Sequence, residues 1–93
     1  MTAKAVSDNS EILVAGKDMF GAPFREKAYL LFLSQSEFSF SLFRPVTERQ
    51  RIRVNFRPQD QQSGHWIEGL VSRVKNRLDG MQTVEVKVLN SIN

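Results

Sequence analysis

Strict alternation of apolar and polar side chains is the feature that most limits what this chain can fold into. It is clearest in RIRVNF (51–56) and in FSFSLF (38–43). Successive side chains of a β-strand point to opposite faces, so a period of two predicts strands with one buried face. The residues expected to face the core are Phe38, Phe40, Leu42, Ile52, Val54 and Phe56.

The same pattern, interrupted by turn residues, predicts six strands. They cover residues 11–17, 24–34, 38–43, 49–56, about 66–75 and 83–90. Gly21, Pro23 and the Asp79-Gly80 pair supply turn chemistry, because glycine allows positive φ and proline fixes its own. The inward face of the second run is predicted to consist of Phe24, Ala28, Leu30 and Phe32.

The fifth run also fits helical spacing, since Leu70, Val71, Val74 and Leu78 recur at helix-like intervals. Gly69 and the strand-rich neighbours favour a strand instead, with a β-bulge at Gly69. No long helix is then available to cover an open sheet, and six short strands need closure to protect their edges. The predicted fold class is therefore all-β, a small six-stranded antiparallel β-barrel.

A chain of 93 residues suits one domain, expected to span residues 11–93 behind a flexible polar lead-in at 1–10. There is no cysteine, which excludes disulfides and thiolate metal sites. The first residues lack the apolar centre of a signal peptide, and no apolar run reaches the roughly 20 residues of a membrane span. Membrane insertion is therefore not expected.

Catalytic signatures are weak. The only histidine, His65, is expected in a loop, and a histidine-based metal cluster is excluded. The carboxylates show no paired spacing of the glycosidase type, and no glycine-rich phosphate loop occurs. We therefore expect a non-enzymatic protein without a cofactor or a metal.

Positive charge is concentrated in residues 44–57, a window of net charge +4 in a chain of net charge +3. Its arginines are Arg44, Arg49, Arg51, Arg53 and Arg57. These arginines have three interpretations: a solvated strand face that also guards an edge, a surface for an acidic protein partner, or a nucleic-acid footprint. A footprint would need exposed aromatic platforms, for which Tyr29, Phe43 and Trp66 are the candidates. Trp66 itself is expected to pack in the core or at the barrel rim.

The order of the elements is similar to that of a known family. GKDMFGAPF (16–24) ends the first strand, a serine-containing turn follows the second, and RQRIRV (49–54) opens the fourth. Over residues 11–90 this arrangement resembles the PilZ domain, a six-stranded β-barrel that binds the bacterial second messenger cyclic di-GMP. The resemblance implies a bacterial, cytoplasmic protein connected with cyclic di-GMP signalling.

The ligand motifs of that family are degenerate here. PilZ domains that bind cyclic di-GMP have R-x-x-x-R before the barrel and [D/N]-x-S-x-x-G after the second strand. Residues 2–10 contain no arginine, and in the second motif only Ser34 matches, because Phe32 and Glu37 replace the polar residue and the glycine. A carboxylate at position 37 repels an anionic ligand, and glutamate resists conformations that glycine adopts.

The resemblance therefore predicts a regulatory, protein-binding module that has lost standard nucleotide binding and uses its arginines to contact an acidic partner. Two alternatives stay open at this point. One is cyclic di-GMP binding in a non-standard mode through the same arginines. The other is an OB-like barrel that binds single-stranded nucleic acid.

Overall fold

Every regular element in the described part of the chain is a β-strand. A computed structural model describes residues 4–5, 11–56 and 66–92, with side chains in 11–56 and 66–89. The strands are β1 (Lys4–Ala5), β2 (Glu11–Lys17), β3 (Pro23–Leu33), β4 (Glu37–Leu42), β5 (Arg51–Asn55), β6 (Trp66–Asn76) and β7 (Gln82–Ile92).

Six of these strands close into an antiparallel barrel. Their order around the ring is β3, β2, β5, β6, β7 and β4, and pairing of β4 with β3 completes the ring. The all-β class and the six-stranded barrel predicted from the sequence are confirmed. The short β1 pairs with Phe32 and Leu33 at the end of β3, and the other residues of the predicted lead-in, 1–3 and 6–10, lie outside the described residues.

The fifth predicted run is a strand, β6, and not a helix. It pairs with β5 on one side and β7 on the other, and its register against β7 shifts between Glu68 and Gly69, where a bulge was predicted. Glycine is required there by close packing, because a Cβ at position 69 would overlap Cγ1 of Val86 and lie 3.2 Å from the carbonyl oxygen of Lys87.

The barrel interior is filled by the apolar side of the alternating strands. Phe38 and Phe40 are almost fully buried, with ring centroids 5.9 Å apart, and Phe56 packs edge-on against Phe38 at 5.1 Å. Other members of this core are Ile12, Val14, Leu30, Leu42, Ile52, Val54, Val71, Val84 and Val86. The inward positions predicted on the strands that became β4 and β5 are confirmed.

Phe32 corrects the prediction that it shares an inward face with Phe24, Ala28 and Leu30. Those three are buried, but Phe32 is 43% exposed. The pairing of β3 with β4 shifts register between Leu30 and Phe32, so that Phe32 lies opposite Ser39. Because one extra residue reverses the two-residue period, Phe32 points outward.

The connection from β4 to β5 crosses one end of the barrel, because β4 lies between β3 and β7 while β5 lies between β2 and β6. Glu26 accepts the backbone N–H groups of Phe43 and Arg44 at 2.7 and 3.1 Å. Val46, within the connection, is buried, and its N–H donates to Oε1 of Gln82. These contacts fasten the segment across the end of the core.

Asp18 joins this connection to the β2–β3 turn. Its Oδ1 accepts hydrogen bonds from the N–H groups of Phe20 and Ala22 at 2.9 and 3.0 Å. Its Oδ2 accepts a hydrogen bond from Nη1 of Arg44 at 3.1 Å. Burial alone would raise the pKa of Asp18, but the bonds from Ala22 and Phe20 and the nearby guanidinium together lower it below 3.8. The carboxylate is therefore held in its charged form.

We expect the Asp18→Asn variant to lose part of the acid sensitivity of the fold. With a lowered pKa in the folded state, the carboxylate stabilises the protein above about pH 4, and this stability is lost as pH falls through the lowered value. The variant should be less stable than wild type at neutral pH, and the two should converge below pH 4. Urea unfolding between pH 7 and pH 2.5 measures both curves, and parallel curves would contradict the role given to Asp18.

No helix in the described part of the chain is long and apolar enough to cross a membrane.

Candidate anion-binding face

The outer faces of β2, β3, β5 and β6 bring together side chains that are distant in the sequence. In antiparallel register, Ala15 on β2 lies between Arg25 on β3 and Arg53 on β5, and Arg53 lies opposite Glu68 on β6. Residues directly opposite one another share a face of the sheet. We call this surface the basic face; it is defined by the cations Lys17, Arg25, Lys27, Arg51 and Arg53 together with Trp66.

Trp66 contacts two arginines of the basic face. The guanidinium carbons of Arg25 and Arg53 lie 5.7 and 5.8 Å from the centroid of its ring, within cation–π range. Ala15, between the two arginines, is only 4% exposed although it faces outward and is not part of the core cluster. A small side chain at this position leaves room for long side chains to lie across the sheet.

Positive charge exceeds negative charge on this face. Among the described residues, its carboxylates are Glu11 and Glu68, on the outward positions of β2 and β6. Glu68 makes a long ion pair with Arg51, 3.9 Å between Oε2 and Nη1, and the Arg51 side chain is 71% exposed. Such an exposed pair contributes little to stability and leaves the guanidinium available. The arrangement can bind an anion but holds no reactive group.

The structure divides the arginines that the sequence singled out. Arg51 and Arg53 lie on the basic face, whereas Arg44 is paired with Asp18 at the end of the barrel. Arg49 lies in the turn before β5 with φ of 73°, and its N–H donates to the carbonyl of Val71. Arg57 lies outside the described residues, as does His65.

Sequence reasoning missed Arg25 and Lys27 as members of this surface, and it named Trp66 as a candidate surface platform but favoured packing in the core or at the rim. The alternation in 24–34 already placed Arg25 and Lys27 on the polar side of their strand. What it could not indicate was which strands lie next to one another. Trp66, expected in the core or at the rim, is half-buried and lies on the outer face.

The turn between β3 and β4, with which the resemblance aligned the second PilZ ligand motif, is closed by its own hydrogen bonds. The Ser34 hydroxyl accepts the N–H of Glu37 at 3.2 Å and donates to its carbonyl at 3.1 Å. The Ser34 N–H also donates to the Glu37 carbonyl, at 2.8 Å, and the Val88 N–H donates to the carbonyl of Ser36. The Ser34 side chain therefore stabilises the turn itself.

Beside this turn lies an open groove of about 240 Å³, lined by Phe32, Glu37, Phe38, Ser39 and Glu85. In register, Glu37 is opposite Lys87, and Glu85 is opposite Arg73. The groove lining holds these two carboxylates and no cation, and the cations opposite them can at most balance that charge, so the groove has no surplus positive charge to hold an anionic nucleotide. The basic face is the stronger candidate for anion binding.

Within the described residues, no group of three or more His, Cys, Asp or Glu side chains is placed to hold a metal ion. In comparisons with known proteins, no family model and no curated protein matches the chain.

Proposed function

We propose that this chain is a non-enzymatic, PilZ-like barrel module that binds an acidic segment of a partner protein through its basic face. Following the resemblance, we place it in bacterial cyclic di-GMP-related signalling in the cytoplasm, as a regulatory domain that has lost standard nucleotide binding. The closed six-stranded barrel is the fold that this resemblance implies.

The loss of nucleotide binding is supported by the β3–β4 turn. Phe32 and Glu37 stand where the family has a polar residue and a glycine, and the Ser34 hydroxyl is used within the turn. A dianionic ligand there would meet two carboxylates, Glu37 and Glu85, in the adjoining groove. Electrostatics therefore favour binding elsewhere.

The observation that carries the proposal is the contact of Arg25 and Arg53 with Trp66. Arginine stacked on an aromatic ring keeps the edge of its guanidinium free for planar, bidentate contacts with carboxylates. The same contact takes up the indole surface that a nucleic-acid base would need for stacking. An acidic protein segment fits this surface better than a nucleic acid does.

One observation favours the nucleic-acid alternative. Tyr29 is 53% exposed and lies two residues from Lys27 on the same side of β3. An exposed aromatic ring beside cations is the usual platform for a single-stranded base. The alternative predicts an affinity for single strands that falls steeply with salt, as counterion release requires.

We expect the purified domain to bind a polyglutamate peptide, and the double variant Arg25→Ala/Arg53→Ala to bind it at least tenfold more weakly. The loss of two charge-assisted contacts of about 1 kcal/mol each or more accounts for the factor. Calorimetry measures the affinity, and the fluorescence of Trp66, the only tryptophan of the chain, reports whether the peptide reaches the basic face.

The matched control is Arg73→Ala/Lys75→Ala, which removes the same charge from exposed positions of β6 outside the basic face and should bind within about twofold of wild type. Equal losses in both double variants would mean that net charge alone governs binding. Saturable micromolar binding of cyclic di-GMP would instead establish the non-standard nucleotide mode. Salt-sensitive binding of oligothymidylate tighter than that of the peptide would establish the nucleic-acid mode.

A further inference from the structure

We infer that Arg25 and Arg53, held by Trp66, form a paired guanidinium site that recognises two carboxylates on a single extended acidic segment. We call these two arginines the guanidinium pair. The inference rests on the proposed function and goes further, because it assigns the specificity to a geometry and not to the total charge of the face.

The guanidinium pair is created by the strand order. Arg25 and Arg53 are 28 positions apart in the sequence, yet both lie opposite Ala15 because β2 separates their strands. Their backbones are therefore about two strand spacings apart, roughly 10 Å. Both side chains come within 5.8 Å of the centre of one indole ring, so the guanidinium carbons are at most twice that distance apart.

Within the described residues, no carboxylate neutralises either guanidinium of the pair. The ion pairs within 4 Å in this part of the chain are Arg44–Asp18, Arg51–Glu68 and Arg77–Asp79. Glu68 faces Arg53 in register, but its ion pair is with Arg51. Two cations near one ring form a site that an anion with two negative groups would complete.

The spacing indicates what kind of anion fits. Carboxylates on alternate residues of an extended chain lie on one side of that chain, about 7 Å apart. This distance is within the span available to the guanidinium pair. An extended segment with acidic residues at every second position would therefore place one carboxylate on each arginine.

Trp66 acts as a positioning residue. Its ring holds both guanidiniums over the sheet, which reduces the side-chain freedom that would otherwise be lost on binding. Lysine at either position would retain the charge but would lose the planar stacking and the bidentate geometry. Exchange of arginine for lysine therefore separates this geometry from simple charge attraction.

We expect Arg25→Lys/Arg53→Lys to bind a peptide of alternating glutamate and serine roughly fivefold to tenfold more weakly than wild type, with unchanged net charge. The control Arg73→Lys, at an exposed position of β6 outside the basic face, should bind within about twofold. Trp66→Leu should resemble the double lysine variant. Fluorescence anisotropy of a labelled peptide measures the affinity of wild type and of the three variants without relying on the tryptophan. Circular dichroism tests whether each protein is folded.

If the double lysine variant bound the peptide within twofold of wild type, the inference that the guanidinium pair determines specificity would be overturned. If Arg25→Ala/Arg53→Ala still lost affinity in that case, the proposed function would stand without it. Absence of peptide binding by the wild-type protein would overturn both. The double lysine variant decides the question if Trp66→Leu does not fold.

Discussion

Replacement of Phe40 by alanine is expected to destabilise the barrel by about 3–5 kcal/mol, the usual cost of removing a phenylalanine from a packed core. Phe40 is 0% exposed and its ring lies 5.9 Å from that of Phe38. Its loss leaves a cavity that a closed ring of hydrogen-bonded strands cannot collapse to fill. Since small domains are stable by only about 5–15 kcal/mol, the variant should be close to unfolding.

Phe43→Ala is the matched control, because it removes the same side chain three positions further along. Phe43 is 69% exposed at the end of the barrel, so the change should alter the free energy of unfolding by less than about 1 kcal/mol. Urea denaturation followed by circular dichroism measures both variants. Similar losses in the two would show that the inward face of β4 is wrongly assigned.

Gly69→Ala is the second large effect expected, a loss of about 2–3 kcal/mol caused by overpacking. The added Cβ would overlap Cγ1 of Val86 and lie 3.7 Å from Cζ of Phe38, both in the core. The valine is stiff at χ1 and fully buried, so it cannot turn aside without disturbing its neighbours. The backbone of β6 and β7 would have to separate instead.

A double-mutant cycle tests this explanation. Val86→Ala removes the overlapping methyl group, so Gly69→Ala/Val86→Ala should be less destabilised than the sum of its single variants. Gly21→Ala is a control for backbone strain alone, because Gly21 has φ of 83° and a methyl group added there would meet no atom within 4 Å; it should cost only about 1 kcal/mol. Additive losses at positions 69 and 86 would rule out a direct clash.

The position of every barrel strand could be predicted because the signal is local. Alternation specifies which residues of a strand are buried, and it identified Phe38, Phe40, Ile52 and Val54 as core. The turns at Gly21 and Gly80 have the positive φ values that their glycines suggested. The strand assignment of residues 66–75 depended on Gly69, whose tight packing explains why glycine is found there.

Phe32 shows where local reasoning fails. Its identity and its spacing from Leu30 predict an inward side chain, and nothing in the sequence marks the extra residue at Leu31. The bulge arises from pairing between β3 and β4, since the register on either side of it must fit both strands. The consequence is an exposed phenylalanine beside the turn at Ser34.

The sequence by itself determined the all-β class, most of the barrel core and the outward arginines of β5. These follow from residue identity and a period of two, which a single strand already displays. Only the tertiary structure decided that Arg25 and Arg53 both contact Trp66. It also decided that Arg44 lies apart from them, in an ion pair with Asp18. The physical reason is that strand order and register place residues side by side, and both are properties of the closed ring of hydrogen bonds, not of any one segment.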